Sequence, residues 1–383
     1  MDNPQIVSIE WANLVGQRPR EARCNARLGV HGLDVQVPIV RIKTEDGASG
    51  FGPCRISPVQ AEAFIGASLS DLITMQDGVS QPATTLEFAL WDLLGQQSGK
   101  PVYQILAERI GNAIAEPFRV PCYDTSLYID DLHLDSTEEA AALIAEETRF
   151  GYEHNHRNFK IKVGRGARHM PLTEGTERDI AVIKAVREAA GPEANVMIDA
   201  NNGYNLNLTK QVLAETAECN LFWVEEAFHE DRVLYEDLRA WMTQENLSVL
   251  IADGEGQASP TLLDWARDHI IDVVQYDIFS YGLTNWLKTG VQLDVWGRRS
   301  APHHYGRHLG NYISGHLAAS ISGFTFVEWD EVSTPGIDAN AYTVEAGQVL
   351  IPNMPGFGLH LEEGVFQAAI QETGFCLTVS GKV

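Results

Sequence analysis

The amino-acid sequence predicts a parallel α/β barrel that follows a separate α+β module. From Lys162 onward, strand and helix patterns alternate, as expected where helices connect parallel strands. In this region polar residues follow successive apolar runs at steps of 22 to 37 residues, which is about the length of one strand, one helix and two short loops. The first third of the chain has a different pattern, with signals for strands, a hairpin and then helix.

The composition limits the classes of function. The chain has 383 residues, of which 44% are hydrophobic, enough for one barrel and a second domain. It carries 52 acidic and 28 basic residues, a net charge of −24, which argues against a nucleic-acid or acidic-membrane partner. The five cysteines lack the close spacing of a disulfide framework or a zinc site.

No targeting or membrane-spanning pattern is visible in the sequence. No apolar run approaches the roughly 20 residues that a membrane helix needs. The first residues lack a basic segment followed by an apolar stretch. We therefore expect a soluble, cytoplasmic protein.

The N-terminal module begins with strand patterns at residues 5–11 and 35–43. A hairpin turn signal at 45–47 leads into a return strand at 48–52. The pattern then becomes helical between residues 57 and 94, with apolar residues recurring at helical spacing. Together these segments predict an α+β module of about 115 residues.

The barrel is predicted to start with a strand at 119–123. Helices are expected at residues 177–190, 208–219, 235–243, 259–269 and 285–295. A last strand near 325–329 is followed by a stretch rich in Gly and Pro at 335–361, which should return toward the first module.

The polar residues at the predicted strand ends are the candidate active site. In chain order they are Lys160 and Lys162, Asp199, Glu225, Asp253 and Glu255, Asp277, and His303. The carboxyl ends of parallel barrel strands meet at one face, where such barrels place their active sites. Two bases, several acids and an imidazole suggest a hard divalent cation flanked by two groups that transfer protons.

These motifs resemble those of the enolase superfamily, in its mandelate racemase-like branch. The resembling segments are the helix at 87–95 with Lys100 and Pro101 after it, the Lys-x-Lys strand end at 159–164, the acidic segments at 197–201 and 223–226, and Ala-Pro-His at 301–303. The resemblance covers almost the whole chain. It implies a (β/α)7β TIM-like barrel at residues 119–335, an α+β capping domain at 1–118, and a C-terminal segment at 336–383 that completes the cap.

The expected cofactor is one Mg²⁺, with Mn²⁺ as a possible substitute. We assign its ligands as Asp199, Glu225 and Glu255, because three carboxylates from adjacent strand ends suit the preference of this cation for oxygen. Asp253 is the alternative third ligand. Glu226 is the alternative second ligand, although the resemblance favours the first Glu of the pair.

Two groups are candidates for proton transfer on opposite faces of the substrate. Lys162 is the candidate base on one face, and Lys160 should lower its pKa because a like charge disfavours the protonated form. His303 is the candidate on the other face, oriented by Asp277. His304 stays an alternative, because the segment after Asp277 is one residue shorter than the usual family pattern.

Other residues are expected to contact or support the substrate. By resemblance, Glu328 at the end of the eighth strand is a candidate to hydrogen-bond a substrate carboxylate oxygen, and Asn201 should support Asp199. Specificity is expected to come from a mobile loop at 14–31 and from the hairpin near 48–55. The candidates for a distal carboxylate are Arg18, Arg20 and Arg23, and the wider set of substrate-binding candidates is Arg18, Arg20, Asn201, His304 and Arg165.

The resemblance implies abstraction of the proton α to a carboxylate through an enediolate. We expect dehydration of a small-molecule acid sugar to a 2-keto-3-deoxy acid, by a protein that is a homo-oligomer. One alternative is a racemase or epimerase of a 2-hydroxy acid that uses the same two groups. Another is a non-catalytic binding or structural module on the same fold. Asp277 stands where the lactonising and dipeptide-epimerising branches would place a lysine, which argues against those two activities.

Overall fold

The N-terminal part of the chain forms a small antiparallel sheet with helices packed on it. The computed structural model describes residues 3–379. In chain order the N-terminal elements are β1 (Ile6–Ala22), β2 (Gly32–Thr44), β3 (Ser49–Pro53), α1 (Pro58–Glu62), α2 (Leu69–Leu72), β4 (Ile73–Thr74), β5 (Gly78–Val79), a 3₁₀ helix (Gln81–Leu86), α3 (Glu87–Ser98) and α4 (Val102–Arg109). Helix α3 lies very close to β3, because a side chain at Gly50 would come within 2.3 Å of the Leu93 nitrogen.

Two sequence predictions for this module are wrong. The expected loop at 14–31 is a strand over its first half, since β1 continues to Ala22 and pairs with β2 as far as the Ala22–Gly32 contact. The expected helical stretch at 57–94 is interrupted by the small hairpin of β4 and β5. Only residues 23–31 form an irregular connection between the first two strands.

The middle of the chain forms a closed parallel barrel. In chain order its elements are β6 (Arg119–Leu127), α5 (Thr137–Glu153), β7 (Asn158–Lys162), α6 (Arg165–Arg168), α7 (Leu172–Ala190), β8 (Asn195–Asp199), α8 (Leu206–Glu215), a 3₁₀ helix (Ala217–Cys219), β9 (Trp223–Glu225), α9 (Arg232–Gln244), β10 (Leu250–Asp253), α10 (Leu262–Arg267), β11 (Val273–Val274), α11 (Ile278–Tyr281), α12 (Leu283–Val295), β12 (Arg299–Ser300), α13 (Gly310–Ile313), a 3₁₀ helix (Ser314–Ala319) and β13 (Val327–Trp329). Strands β6 to β12 pair in order, and β13 pairs with β6. A parallel bridge between Ser300 and Phe324 closes the remaining gap. The predicted (β/α)7β barrel is therefore confirmed.

A buried cluster fills the interior of the barrel. Its members are Tyr123, Met197, Trp223, Ala252, Val273, Ala301 and Phe326, which come from seven different strands or their flanks. The Trp223 and Phe326 rings meet edge to face at 5.8 Å between centroids. This packed layer leaves the strand ends above it as the place for a site.

The C-terminal segment connects the barrel to the N-terminal sheet. Its elements are β14 (Ile337–Asp338), β15 (Val344–Glu345), β16 (Gln348–Leu350), β17 (His360–Leu361), α14 (Glu363–Thr373) and β18 (Phe375–Thr378). Strand β16 pairs with β6 of the barrel, and β18 pairs with β1. Among the residues described, no helix is both long enough and apolar enough to span a bilayer.

Candidate active site

Three of the predicted strand-end residues line one cavity between the barrel and the cap, namely Lys162, Glu255 and His303. Lys162 and Asp199 are partners in the β7–β8 pairing, and Asp199 and Glu225 are partners in the β8–β9 pairing. The cavity measures about 380 Å³. Its lining from the barrel includes Lys162, Asn201, Glu255 and His303, and its lining from the cap includes Arg18, His31, Asp34, Gln36 and Arg55.

Three carboxylates form one cluster, of which Glu255 lines this cavity. One oxygen each of Asp199, Glu225 and Glu255 lies within 4.8 Å of the other two. Asp199 and Glu225 have no exposed surface. Trp223 Nε1 and Gln275 Nε2 donate to Glu225 Oε2 at 3.0 and 2.9 Å, which holds that carboxylate in place. A set of three oxygen ligands on rigid strand ends fits a Mg²⁺ ion.

The competing acids have other partners. Asp253 is fully buried, with Tyr235 donating to its Oδ2 and the Gly254 nitrogen to its Oδ1 at 2.7 Å. Glu226 accepts from Asn201 Nδ2 and Asn202 Nδ2, at 3.1 and 2.9 Å. Neither acid belongs to the cluster of three. The geometry thus favours Glu255 and Glu225 over these two neighbours.

The two lysines point at the carboxylates. Lys160 Nζ lies 2.8 Å from Glu225 Oε1, and Lys162 Nζ donates to Asp199 Oδ2. Burial is the largest influence on the pKa of Lys162 and lowers it, and Lys160 lowers it further, but the negative charges of Asp199, Glu255 and Glu225 together raise it, so that the net shift is upward. Lys160 thus acts on the pKa of Lys162 in the predicted direction, and the opposing charges belong to the three carboxylates that would bind a cation.

His303 and Asp277 form a pair on another side of the cavity. Asp277 Oδ2 lies 3.3 Å from His303 Nδ1, and Glu255 Oε2 lies 2.9 Å from Nε2. Burial lowers the pKa of His303, but the charges of Glu255 and Glu328 raise it well above its usual value. This direction favours the protonated imidazole, which is the form that a general acid requires.

His304 does not face the cavity. Its ring is fully buried against Gly310, and its backbone nitrogen donates to Glu328 Oε2 at 2.8 Å. The proposed role of His304 in binding substrate or moving a proton is not compatible with this position. Of the two adjacent histidines, only His303 presents its imidazole to the cavity.

Glu328 has a different surrounding from the one expected. Its carboxylate accepts from Thr125 Oγ1 at 2.8 Å, Lys160 Nζ at 3.1 Å and the Tyr305 nitrogen at 3.0 Å. Burial raises its pKa, but Lys160, His303 and His304 together lower it by more, to well below its usual range. Glu328 therefore fixes Lys160 and the turn after His303. Its predicted hydrogen bond to a substrate carboxylate stays a prediction.

Some arginine candidates do not reach the cavity. Arg20 pairs with Asp130 and Glu147 outside it, at 2.5 and 3.0 Å. Arg23 lies 3.6 Å from Glu21, with its side chain 41% exposed. Arg165 is buried in ion pairs with two aspartates. These three are wrong as substrate contacts because their charges are already matched elsewhere, whereas Arg18 and Asn201 do line the cavity.

Sequence reasoning missed several lining or supporting residues. Gln275 supports Glu225 and stands two residues before Asp277, so strand alternation was a usable signal for it. His31, Tyr128 and Tyr305 form an aromatic group beside Lys162, with the Lys162 Nζ 5.6 Å from the Tyr128 ring centroid. No local pattern marks these aromatic residues, because they meet only when the cap and the barrel pack together.

Comparisons with known proteins place the chain in a family. A family model described as enolase C-terminal domain-like matches residues 137–365. The galacturonate dehydratase of Geobacillus sp., in a crystal structure with D-galacturonate and 5-keto-4-deoxy-D-galacturonate, is 47% identical, covering 98% of this chain and 99% of that chain with a TM-score of 0.94.

Two further relatives extend the comparison. A mandelate racemase/muconate lactonizing protein of Geobacillus sp. Y412MC10, complexed with magnesium and tartrate, is 47% identical, with coverage of 99% and 98% and a TM-score of 0.96. The arabinonate dehydratase of Saccharolobus solfataricus is 24% identical over 290 residues, which are 74% of this chain and 70% of that enzyme. The predicted resemblance is confirmed.

Proposed function

The chain belongs to the enolase superfamily, in its mandelate racemase-like branch, and from this we propose that it is a magnesium-dependent acid-sugar dehydratase. The observation that carries the proposal is that Lys162, His303 and Glu255 line one cavity, with Asp277 paired to His303 and with Asp199 and Glu225 in one cluster with Glu255. A base, an acid and a cation site in one cavity are the groups that β-elimination next to a carboxylate requires.

The relatives support a uronic or aldonic acid as the substrate. The similar Geobacillus enzyme was crystallised with D-galacturonate and its 5-keto-4-deoxy derivative. In a hexuronate the carboxylate carbon is C6, so the α-proton is on C5 and the β-hydroxyl is on C4. Loss of both gives the 5-keto-4-deoxy acid, which is the 2-keto-3-deoxy pattern counted from the carboxylate. We propose that this chain performs the same elimination on a six-carbon acid sugar.

Different residues at this site have different roles in the proposed reaction. Asp199, Glu225 and Glu255 would hold Mg²⁺, which when bound supplies positive charge beside the substrate carboxylate and stabilises the enediolate. Lys162, in its neutral amine form, takes the α-proton; charge on the three carboxylates that is neutralised by a bound cation would no longer hold this lysine protonated. His303, oriented by Asp277, gives a proton to the departing β-hydroxyl. The product enol then tautomerises to the keto acid.

The test follows product and proton exchange separately. Purified protein with Mg²⁺ is incubated with a library of uronic, aldonic and aldaric acids, keto-acid product is measured, and α-proton exchange is followed in D₂O by NMR. Keto-acid formation supports the dehydratase. Exchange with inversion and without keto acid would support a racemase instead. If no acid gives either signal, the result supports a non-catalytic module.

Two variants assign the roles of the bases. His303→Asn should lower dehydration by about 10²- to 10⁴-fold, the usual range for a lost general acid, while α-proton exchange continues. Lys162→Ala should lose both reactions. Lys184→Ala, which changes a surface lysine paired with Glu218, is the matched control and should behave as wild type. Loss of exchange in His303→Asn would contradict the assignment of the α-proton to Lys162.

The expectations about oligomeric state and cellular location stay predictions. The homo-oligomer implied by the family resemblance is checked by light scattering of the purified protein. The cytoplasmic location is checked by fractionating cells that express the full chain.

A further inference from the structure

The two carboxylate oxygens of Asp277, the residue paired with His303, have different partners. Oδ2 lies 3.3 Å from His303 Nδ1. Oδ1 accepts from the Ser280 nitrogen at 2.8 Å, from the Phe279 nitrogen at 3.1 Å and from Ser280 Oγ at 3.1 Å. Arg307 Nη1 also donates to Oδ1, at 3.3 Å. One oxygen is thus left to the imidazole, and the other is held by the surrounding chain.

The donors to Oδ1 are of two kinds. The Phe279 and Ser280 nitrogens belong to the first turn of α11, which Asp277 caps, and they are neutral. Among residues 3–379, Arg307 is the only charged donor to this oxygen. Hydrogen bonds in which both partners are charged are stronger than neutral ones. Arg307 therefore adds a restraint that the helix cap does not supply.

Arg307 belongs to the same turn of the chain as His303. Its nitrogen donates to the His304 oxygen at 2.9 Å, and Gly306 before it has a φ of 79°, which suits a tight turn. Its guanidinium lies 5.6 Å from the centroid of the Phe279 ring. The side chain is 46% exposed, so a shorter or neutral replacement leaves no buried cavity.

These contacts tie the position of the carboxylate to the turn that carries the imidazole. The last torsion of an aspartate side chain has only a broad preference, so a carboxylate needs contacts on both oxygens to be held in one orientation. The cap of α11 holds Oδ1 relative to the segment after Asp277. Arg307 holds the same oxygen relative to the turn of His303, and therefore restrains the carboxylate and the imidazole together.

We propose that Arg307 is a positioning residue that, through Asp277, holds the His303 imidazole in place for proton donation to the departing hydroxyl. The inference rests on the proposed function. General acid catalysis depends closely on geometry, since a displacement of about 1 Å can lower a rate about 10²-fold. Lys162 has a separate partner in Asp199, so abstraction of the α-proton does not depend on Arg307.

The experiment uses the acid sugar that wild type dehydrates fastest, with Mg²⁺ present, and measures dehydration and α-proton exchange in parallel. Arg307→Gln should lower kcat for dehydration by about 3- to 10-fold, because His303 is still present but less well oriented. The ratio of exchange to dehydration should rise by the same factor. Arg307→Lys, which keeps the charge, should stay within about 2-fold of wild type.

Two controls separate this effect from a general loss of structure. Arg149→Gln changes an exposed arginine that pairs with Glu146 at 2.7 Å, and it should behave as wild type. Arg307→Met, which can keep its stem over the Phe279 ring but has no charge, should show the same loss of dehydration as Arg307→Gln. Urea unfolding of both Arg307 variants should give the wild-type midpoint.

A double-mutant cycle tests whether Arg307 acts through Asp277. In the Asp277→Asn background, adding Arg307→Gln should change dehydration by less than about 2-fold, because the carboxylate that Arg307 restrains is already gone. If the two changes multiply, Arg307 acts independently of Asp277 and the inference is wrong.

The remaining outcomes separate this inference from the proposed function. If Arg307→Gln dehydrates at the wild-type rate, or if exchange and dehydration fall in equal proportion, the inference is wrong and the proposed function stands. If wild type dehydrates no acid sugar, the proposed function fails, and this inference fails with it.

Discussion

At the level of single residues, Asp253 and Glu255 differ in what surrounds their carboxyl groups. Asp253 is sealed between Tyr235 and the Gly254 nitrogen, and burial raises its pKa well above the usual value. Glu255 faces the cavity, where His303 lies 2.9 Å from its Oε2. One acid is thus built into the barrel wall, and the other is placed to bind a cation.

This difference predicts separate consequences for the two isosteric changes. Glu255→Gln should weaken Mg²⁺ binding at least about 10-fold, because the cation loses one anionic ligand. Asp253→Asn should leave Mg²⁺ affinity within about 3-fold but lower the free energy of unfolding by about 1–3 kcal/mol, since buried hydrogen bonds are disturbed. Calorimetric titration with Mg²⁺ and urea unfolding measure the two effects. Weaker binding in Asp253→Asn alone would reverse the ligand assignment.

The sequence predicts a residue of this site well when it ends an apolar run. Asp199 and Glu225 each follow a buried strand, so both their presence and their proximity follow from barrel geometry. Arg55 and Arg165 could not be assigned in this way. Whether either charge is free or paired depends on partners far away in the sequence or on the opposite domain, and no local pattern records those partners.

At the level of elements, a buried group of ion pairs connects the segments that follow β6 and β7 with helix α7. Arg165, after β7, lies 3.0 Å from Asp131, after β6, and 2.7 Å from Asp179 on α7. Asp179 also accepts from the Gly164 nitrogen and from Tyr204 Oη, both at 2.8 Å. The group fixes the turn directly after Lys162 and so supports the position of the proposed base.

Removing the central cation should be costly. Arg165→Met leaves two buried carboxylates without their counter-charge, and we expect the free energy of unfolding to fall by about 3–5 kcal/mol. Arg267→Met is the matched control, because Arg267 is half exposed and its pairs with Asp264 and Asp268 should contribute less than about 1 kcal/mol. Urea unfolding of both variants tests this. Equal stability of the two variants would show that the buried group contributes little.

The length of β1 shows why one element was missed. The segment Leu14-Val15-Gly16-Gln17-Arg18 alternates between buried and exposed positions, as a strand should. Its buried positions include Gly16 and Arg18, which an apolar pattern does not reveal. Arg18 is buried only because Asp330, in the barrel, matches its charge at 2.9 Å. The ion pair with the barrel therefore stabilises the second half of β1, which the local sequence pattern alone does not predict.

At the level of the whole molecule, one buried carboxyl joins three distant parts of the chain. Asp92, on α3, accepts from the Phe51 nitrogen at 3.0 Å and from the Phe357 nitrogen at 2.9 Å. It thereby connects the cap sheet, the cap helix and the C-terminal segment. The return of that segment to the cap was predicted from its composition, but this contact at 265 residues' separation was not, because only the folded chain brings the groups together.

The pKa of Asp92 gives this connection a defined pH dependence. Burial raises the pKa to about 7, although the backbone donors at Phe357 and Phe51 act to lower it. In the unfolded chain the value is about 3.9, so the folded state holds the proton more tightly. The stability that this proton contributes is complete below about pH 4 and is lost as the pH rises through about 7. A difference of this size corresponds to about 4 kcal/mol.

Asp92→Asn should remove that dependence. Asparagine has one acceptor oxygen for two amide donors, so the variant should be less stable than wild type by about 1–3 kcal/mol near pH 5. Because the asparagine does not titrate, the advantage of wild type over the variant should fall between pH 4 and pH 7, reach zero or reverse by about pH 7, and stay constant at higher pH. Urea unfolding across this range measures it, with the exposed Asp71→Asn as control. A difference that stays constant with pH would mean that Asp92 is ionised throughout, and that its charge is matched by the backbone donors alone.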